Sequence, residues 1–140
     1  MLNLKVWMTK VTEWIRDSHK GKNISSVNLT NINLTGTVGN GMVIGQLNNG
    51  TFFVYGRIGV LNFVRTGANP GFSFTLPDFV PTPTSTIGFV IGFRAENPRE
   101  SIGFTVVANS RTATVTSNET YENCTNGTLT FMLNGIFYVR

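Results

Sequence analysis

The sequence predicts an all-β protein with a jelly-roll-like sandwich or barrel head, preceded by a short N-terminal α-helix and an extended β neck. Three observations lead there. Thr, Val, Ile, Phe and Gly are abundant while Leu, Ala, Glu and Lys are few. Short apolar runs alternate with Gly/Asn/Pro turns along most of the chain. Only the first twenty residues carry a helical period. A chain of 140 residues holds one domain with a small appendage, and 41% apolar residues, eleven Phe among them, are enough to fill a core.

Leu4, Trp7, Val11, Trp14 and Ser18 recur at spacings of three and four, the seam of a coiled coil, so residues 4–18 predict a helix and 1–20 an oligomerisation segment. Met8 and Ile15 widen the stripe. So short a helix needs cover for its two Trp. Docking on the chain's own β body, a bundle of symmetry-related copies, or a membrane surface would each provide it. Lys20, Gly21 and Lys22 break the helix.

Residues 21–38 form the expected neck. Val27-Asn28-Leu29-Thr30-Asn31 is nearly repeated as Ile32-Asn33-Leu34-Thr35-Gly36. Apolar residues alternate inside each unit, but the five-residue step moves the second unit to the other face, so one flat sheet requires a bulge. Interwound strands about a three-fold axis would also accept the shift.

The head is expected over 39–140. Runs 42–47 and 51–60 flank Asn48-Asn49-Gly50, a hairpin signal. Runs 61–65 and 71–76 follow, flanking 66–70. Pro77, Pro81 and Pro83 then mark an extended crossing loop. Runs 86–95 and 101–109 flank a turn at 96–100, and 112–116 adds another strand. The clearest hairpin signal is Asn134-Gly135 between 128–133 and 136–140. Gly36, Gly39 and Gly41 read as turn glycines, since no Lys or helix follows to make a phosphate loop.

Charge is unevenly placed. Residues 1–22 carry five cations against two acids, a net of +3, whereas the other 118 carry six Arg against five acids and no Lys. The basic balance therefore belongs to the N-terminal segment, and no groove for nucleic acid is expected. The near-neutral body, rich in Asn, Thr, Ser and Gly, suits uncharged hydroxyl-rich partners, though such a surface is more often simply that of an exposed β-sheet. Cys124 is the single cysteine, no run reaches the length of a membrane span, and no stretch resembles a secretory signal. The seven Asn-x-Ser/Thr triplets read as strand composition instead of glycosylation sites.

Catalysis is not expected. His19 is the one histidine and lies at the basic end of the helix, so nucleophile–base pairs and zinc sites lack partners, and no cofactor or metal is expected. The pairs Glu96/Glu100 and Glu119/Glu122 read as solvated turn charges. Binding has better material. Arg94, Glu96, Asn97, Arg99 and Glu100 cluster at one strand–turn–strand tip, with Arg111 as a candidate neighbour. Tyr121 in the polar stretch 118–126 offers a ring face to a sugar.

The order of helix, strand-rich connector and β head resembles the receptor-binding proteins at the baseplate tip of tailed phages that infect Gram-positive bacteria. The resemblance rests on the heptad stretch 4–18, the segment 27–36, the stretch 39–47 running into 50–56, and Phe74–Pro77 with Asp78–Pro81 before the next strand. It implies a homotrimer in the virion tail tip, made in the bacterial cytoplasm, whose head attaches to a host-surface carbohydrate beside other baseplate or tail proteins. The body has no Trp, and no His after His19, so no site residue transfers from that family. Tumour-necrosis-factor-like and C1q-like trimers have similar heads. A purely structural baseplate part and a cell-surface adhesin are the alternative readings.

Overall fold

In the computed structural model, which describes residues 3–19, 23–117 and 127–139, the strands form one antiparallel sheet. In chain order they are β1 (Ile24–Ser26), β2 (Thr30–Ile32), β3 (Leu34–Asn40), β4 (Val43–Asn48), β5 (Thr51–Arg65), β6 (Gly71–Thr75), β7 (Ile87–Arg94), β8 (Asn97–Val106), β9 (Thr112–Ser117) and β10 (Leu129–Tyr138). Across the sheet the order is β1-β4-β5-β10-β7-β8-β9-β6-β2, with β3 pairing β5 beyond the end of β4. The all-β expectation holds at this level. The described residues make a single curled antiparallel sheet, a half-barrel.

The curl follows from connectivity. β1 and β2 stand at opposite ends of the sheet yet are consecutive in the chain. Four Cα steps separate Ser26 from Thr30 and span at most about 14 Å, so the two edges are drawn together. Val27, in this link, is buried. Its N–H donates to the Met42 carbonyl at 3.1 Å, and its own carbonyl accepts from Asn40 Nδ2.

The segment expected as a neck is hydrogen-bonded into this sheet: β1 to β4, β2 to β6 and β3 to β5. Asn33, between Ile32 and Leu34, has φ +52°, and it supplies the change of face that the five-residue step required. Leu34 is thereby buried and Ile32 half-buried.

β5 carries β3 and β4 end to end on one edge and β10 on the other. The pairs Gly39–Gly59 and Val43–Tyr55 belong to one register, interrupted at Gly41 and Met42, where the Gly41 N–H donates to the Arg57 carbonyl at 2.8 Å. Gly56, at φ +119°, makes this approach possible, because a Cβ there would overlap the Gly41 carbonyl. The Asn48-Asn49-Gly50 turn forms as the sequence predicts, with Gly50 at φ +82°. Residues 61–65 continue β5 and are not a separate strand. Asn62, at φ +55°, inserts a bulge after which Phe63 takes up the inward position.

Two further expectations are corrected. Asn134 and Gly135 do not turn: they sit in mid-strand, opposite Tyr55 and Val54. Glycine serves close packing here, since a Cβ at 135 would lie 3.0 Å from the Ile91 Cα. Gly36 and Gly39 likewise lie within β3. The β7–β8 connection narrows to Ala95 and Glu96, with β8 beginning at Asn97.

Inside the curl the Phe side chains form one aromatic cluster. Phe137 meets Phe104 edge-to-face at 5.0 Å and stacks on Phe52 at 5.2 Å, and Phe104 reaches Phe74 at 6.0 Å. The Pro-rich crossing loop runs from β6 over to β7 and buries Leu76 and Val80 against this cluster.

The helix α1 (Leu4–His19) begins where Asn3 Oδ1 accepts the Lys5 N–H at 3.0 Å, an N-cap. Leu4, Trp7 and Met8 are exposed, Trp7 by 48%, and Val11 is half-buried. The side chain of Trp14 lies outside the described residues, as do Lys20, Gly21 and Lys22.

Candidate functional site

The strand–turn–strand tip assembles as the sequence suggested, but its charges divide into two groups. Alternation along β8 places Glu100 in phase with Ile102, Phe104 and Val106, so Glu100 points inward and is 1% exposed. Arg94 at the end of β7 also turns in, at 6% exposure, and its Nη1 donates to Glu100 Oε2 at 3.0 Å. Glu100 is therefore a buried, ion-paired group and not a solvated turn charge. Glu96 sits at the mouth of this pair. Its Oε2 lies 3.5 Å from Arg94 Nε and accepts the Thr130 N–H at 3.1 Å. These bonds fasten the β7–β8 turn to β10, and the Ala95 N–H adds a bond to the Thr130 carbonyl at 2.8 Å. Arg99 remains exposed and Asn97 half-buried, with Asn97 Oδ1 3.4 Å from the Arg99 N–H.

Arg111 does not join this group. It precedes β9, at the end of the sheet opposite the β7–β8 turn. Its guanidinium straps the crossing loop instead. Nη1 donates to the Val80 carbonyl (2.9 Å) and Thr82 Oγ1 (3.0 Å), and Nη2 donates to the carbonyls of Pro77 (2.7 Å) and Leu76 (3.2 Å). Tyr121, Cys124, Glu119 and Glu122 lie outside the described residues.

Sequence reasoning missed a trough on the outer face beside the tip. It has a volume of about 500 Å³, and its floor crosses three strands at Gly39, Gly59 and Thr130. Arg57 bounds it on one side, and the facing pair Thr37 and Leu61 on the other, with Thr128 near the β10 end. The β7–β8 turn closes that end through its bonds to Thr130. No sequence pattern announces the trough, because it exists only once the register sets Gly39 opposite Gly59. A second hollow, of about 300 Å³, lies over Gly88, Gly103, Thr105 and Thr116, and among the described residues no charged side chain lines it.

The same outer face bears an apolar ridge. Phe53 covers Gly45 and stacks on Tyr55 at 5.7 Å, Ile136 stands opposite Phe53, and Met132 stands opposite Phe93. Tyr55, Phe93, Met132, Ile136 and Tyr138 are all exposed. At about 200 Å² per large side chain the ridge offers on the order of 500 Å², the size at which an exposed patch usually marks a contact.

Among the described residues no helix is long and apolar enough to cross a membrane. No protein-family model, curated protein or solved structure matches this chain.

Proposed function

We propose that this chain is a receptor-binding or tail-tip protein of a tailed phage, working as a homotrimer whose jelly-roll-type head attaches to a host-surface saccharide. The observation that carries the reading is the pairing, in one chain, of an uncovered apolar helix with a tightly tied β head. Leu4, Trp7 and Met8 are left exposed at one end, whereas the head's turns and crossing loop are fixed by buried and multidentate bonds. Copies of the chain joined along this seam would bury the Trp side chains at a gain of roughly 2–3 kcal/mol each. Assembly would also present several heads together, multiplying weak contacts to a repetitive polysaccharide.

The head's surface chemistry fits such a partner. Its outer face combines Thr hydroxyls, a glycine-floored trough and exposed arginines, which offer directional bonds to hydroxyl and acidic groups. Retention of the full chain on purified Gram-positive cell walls, and its release by soluble wall polysaccharide, tests the attachment. Absence of retention on walls from a broad panel of such bacteria contradicts it.

The ridge of Phe53, Tyr55, Ile136 and Tyr138 favours a second reading, a structural baseplate part that contacts only other proteins. Saccharide binding by the isolated chain separates the two.

A further inference from the structure

We infer that the trough over Gly39, Gly59 and Thr130 is the place where a saccharide chain is held, and that the sugar bound there is acidic. The inference rests on the attachment reading above and gives it a site and a ligand class. Its first support is the trough itself. With strands about 4.8 Å apart and same-face residues about 6.8 Å apart, the floor is roughly 10 Å long with walls about 6–7 Å to either side, room for a pyranose ring lying flat.

The second support is that nothing among the described residues demands glycine on this floor. Elsewhere on β5 and β10, Gly56 and Gly135 are fixed by a positive φ or by the close approach of another backbone. At Gly39 the nearest atom to an added Cβ is the Gly59 carbonyl at 3.8 Å, and at Gly59 it is the Arg57 guanidinium at 3.9 Å, both ordinary contact distances. Glycine in a strand interior weakens it, so two unforced glycines facing each other leave the open floor as their consequence.

Charge complementarity fixes the class. Among the described residues Arg57 is the charged side chain in the lining, and no carboxylate pairs with it. The nearest acid of the β7–β8 turn, Glu96, accepts the Thr130 N–H and lies beside Arg94. Thr37, Thr128 and Thr130 supply hydroxyls, and Leu61 an apolar edge for a sugar's C–H face. Among the described residues no aromatic ring lines the trough to stack a nucleobase. A carboxylate and a phosphate satisfy Arg57 by the same charge-assisted bonds.

The test is a titration of the full chain followed by backbone amide NMR, with trigalacturonate as the carboxylate probe, mannose 6-phosphate as the phosphate probe and maltotriose as the neutral one. Saturable shifts centred on Gly39, Gly59 and Thr130 are expected with one or both acidic probes, and the tighter of the two identifies the acidic group. Maltotriose should bind at least about tenfold more weakly, and Arg57→Gln should bring the acidic probe down to that level. Gly59→Thr, whose Cβ would lie 3.9 Å from the Arg57 guanidinium, should keep the sheet's amide pattern and abolish the shifts, and Gly39→Ala serves as an independent fill. Three results overturn the proposal: no saturable shift with either acidic probe, shifts centred elsewhere, or parental affinity in the filled variants. If cell walls retain parent and Gly59→Thr alike, the trough is refuted while attachment stands. If they retain neither, attachment itself fails. Retention of the parent alone supports both.

Discussion

Replacing Glu100 by Ala removes one half of the buried pair at the mouth of the half-barrel and leaves the Arg94 guanidinium, 6% exposed, without its 3.0 Å partner. Breaking a buried ion pair from one side costs about 3–5 kcal/mol, because a desolvated charge is stranded. Glu96, 3.5 Å from Nε and partly solvated, offsets some of this, which places the expected loss near 3 kcal/mol. For a domain of this size that corresponds to a fall in Tm of about 10 °C. Urea unfolding followed by circular dichroism measures it. Exchanging both residues, Arg94→Leu with Glu100→Leu, removes both charges together and should return stability to within about 1 kcal/mol of the parent. With the single variants Arg94→Leu and Glu100→Leu added, the double-mutant cycle then yields a coupling of roughly 2 kcal/mol or more. Parental stability in Glu100→Ala, with zero coupling, would refute the buried pair and return Glu100 to solvent.

Gly135→Ala should destabilise by about 1–3 kcal/mol through its clash with Ile91, and cross-strand nuclear Overhauser contacts should join Asn134 to Tyr55; a turn pattern at 134–135 would contradict this. Arg111→Met should cost about 2–3 kcal/mol and open residues 76–83 to limited proteolysis; a loop as resistant as the parent's would show the four guanidinium bonds to be unimportant. Trp7→Ala should weaken self-association by roughly 2–3 kcal/mol per buried ring without altering the fold of the head, measured by sedimentation equilibrium; unchanged association would exclude Trp7 from the seam.

What was legible in the sequence follows from the range of the interaction that decides each feature. Asn48-Asn49-Gly50 turns because the chain needs a positive φ at Gly50 and nothing else crosses there. Asn134-Gly135 carries the same local signal, but β10 is clasped between β5 and β7, and the close approach of Ile91 decides what glycine does. Period-two patterning located most strands and announced the change of face at Asn33, but it faltered at Asn62, where a positive φ resets which residues face inward. Glu100 could have been read correctly. Extending the alternation of Ile102, Phe104 and Val106 back by one step places it inside, and the reading as a turn charge overlooked that phase.

The candidate site was legible only in part. The tip residues from Arg94 to Glu100 do come together, since one short connection holds them, whereas Arg111 lies at the other end of the sheet. The trough has no local signature. Gly39 and Gly59 are twenty residues apart, and their opposition depends on a register that passes through the break at Gly41 and Met42. The folding of β1, β2 and β3 into the sheet was equally hidden, because their partners lie about twenty to forty residues further along the chain.

Size-exclusion chromatography with light scattering on the full chain is the most direct measurement of whether the exposed helix and ridge are covered by identical copies. A single species at three times the 15.4 kDa chain mass, reduced to smaller species by Trp7→Ala, is the predicted result. A folded particle of 15.4 kDa at micromolar concentration would contradict it.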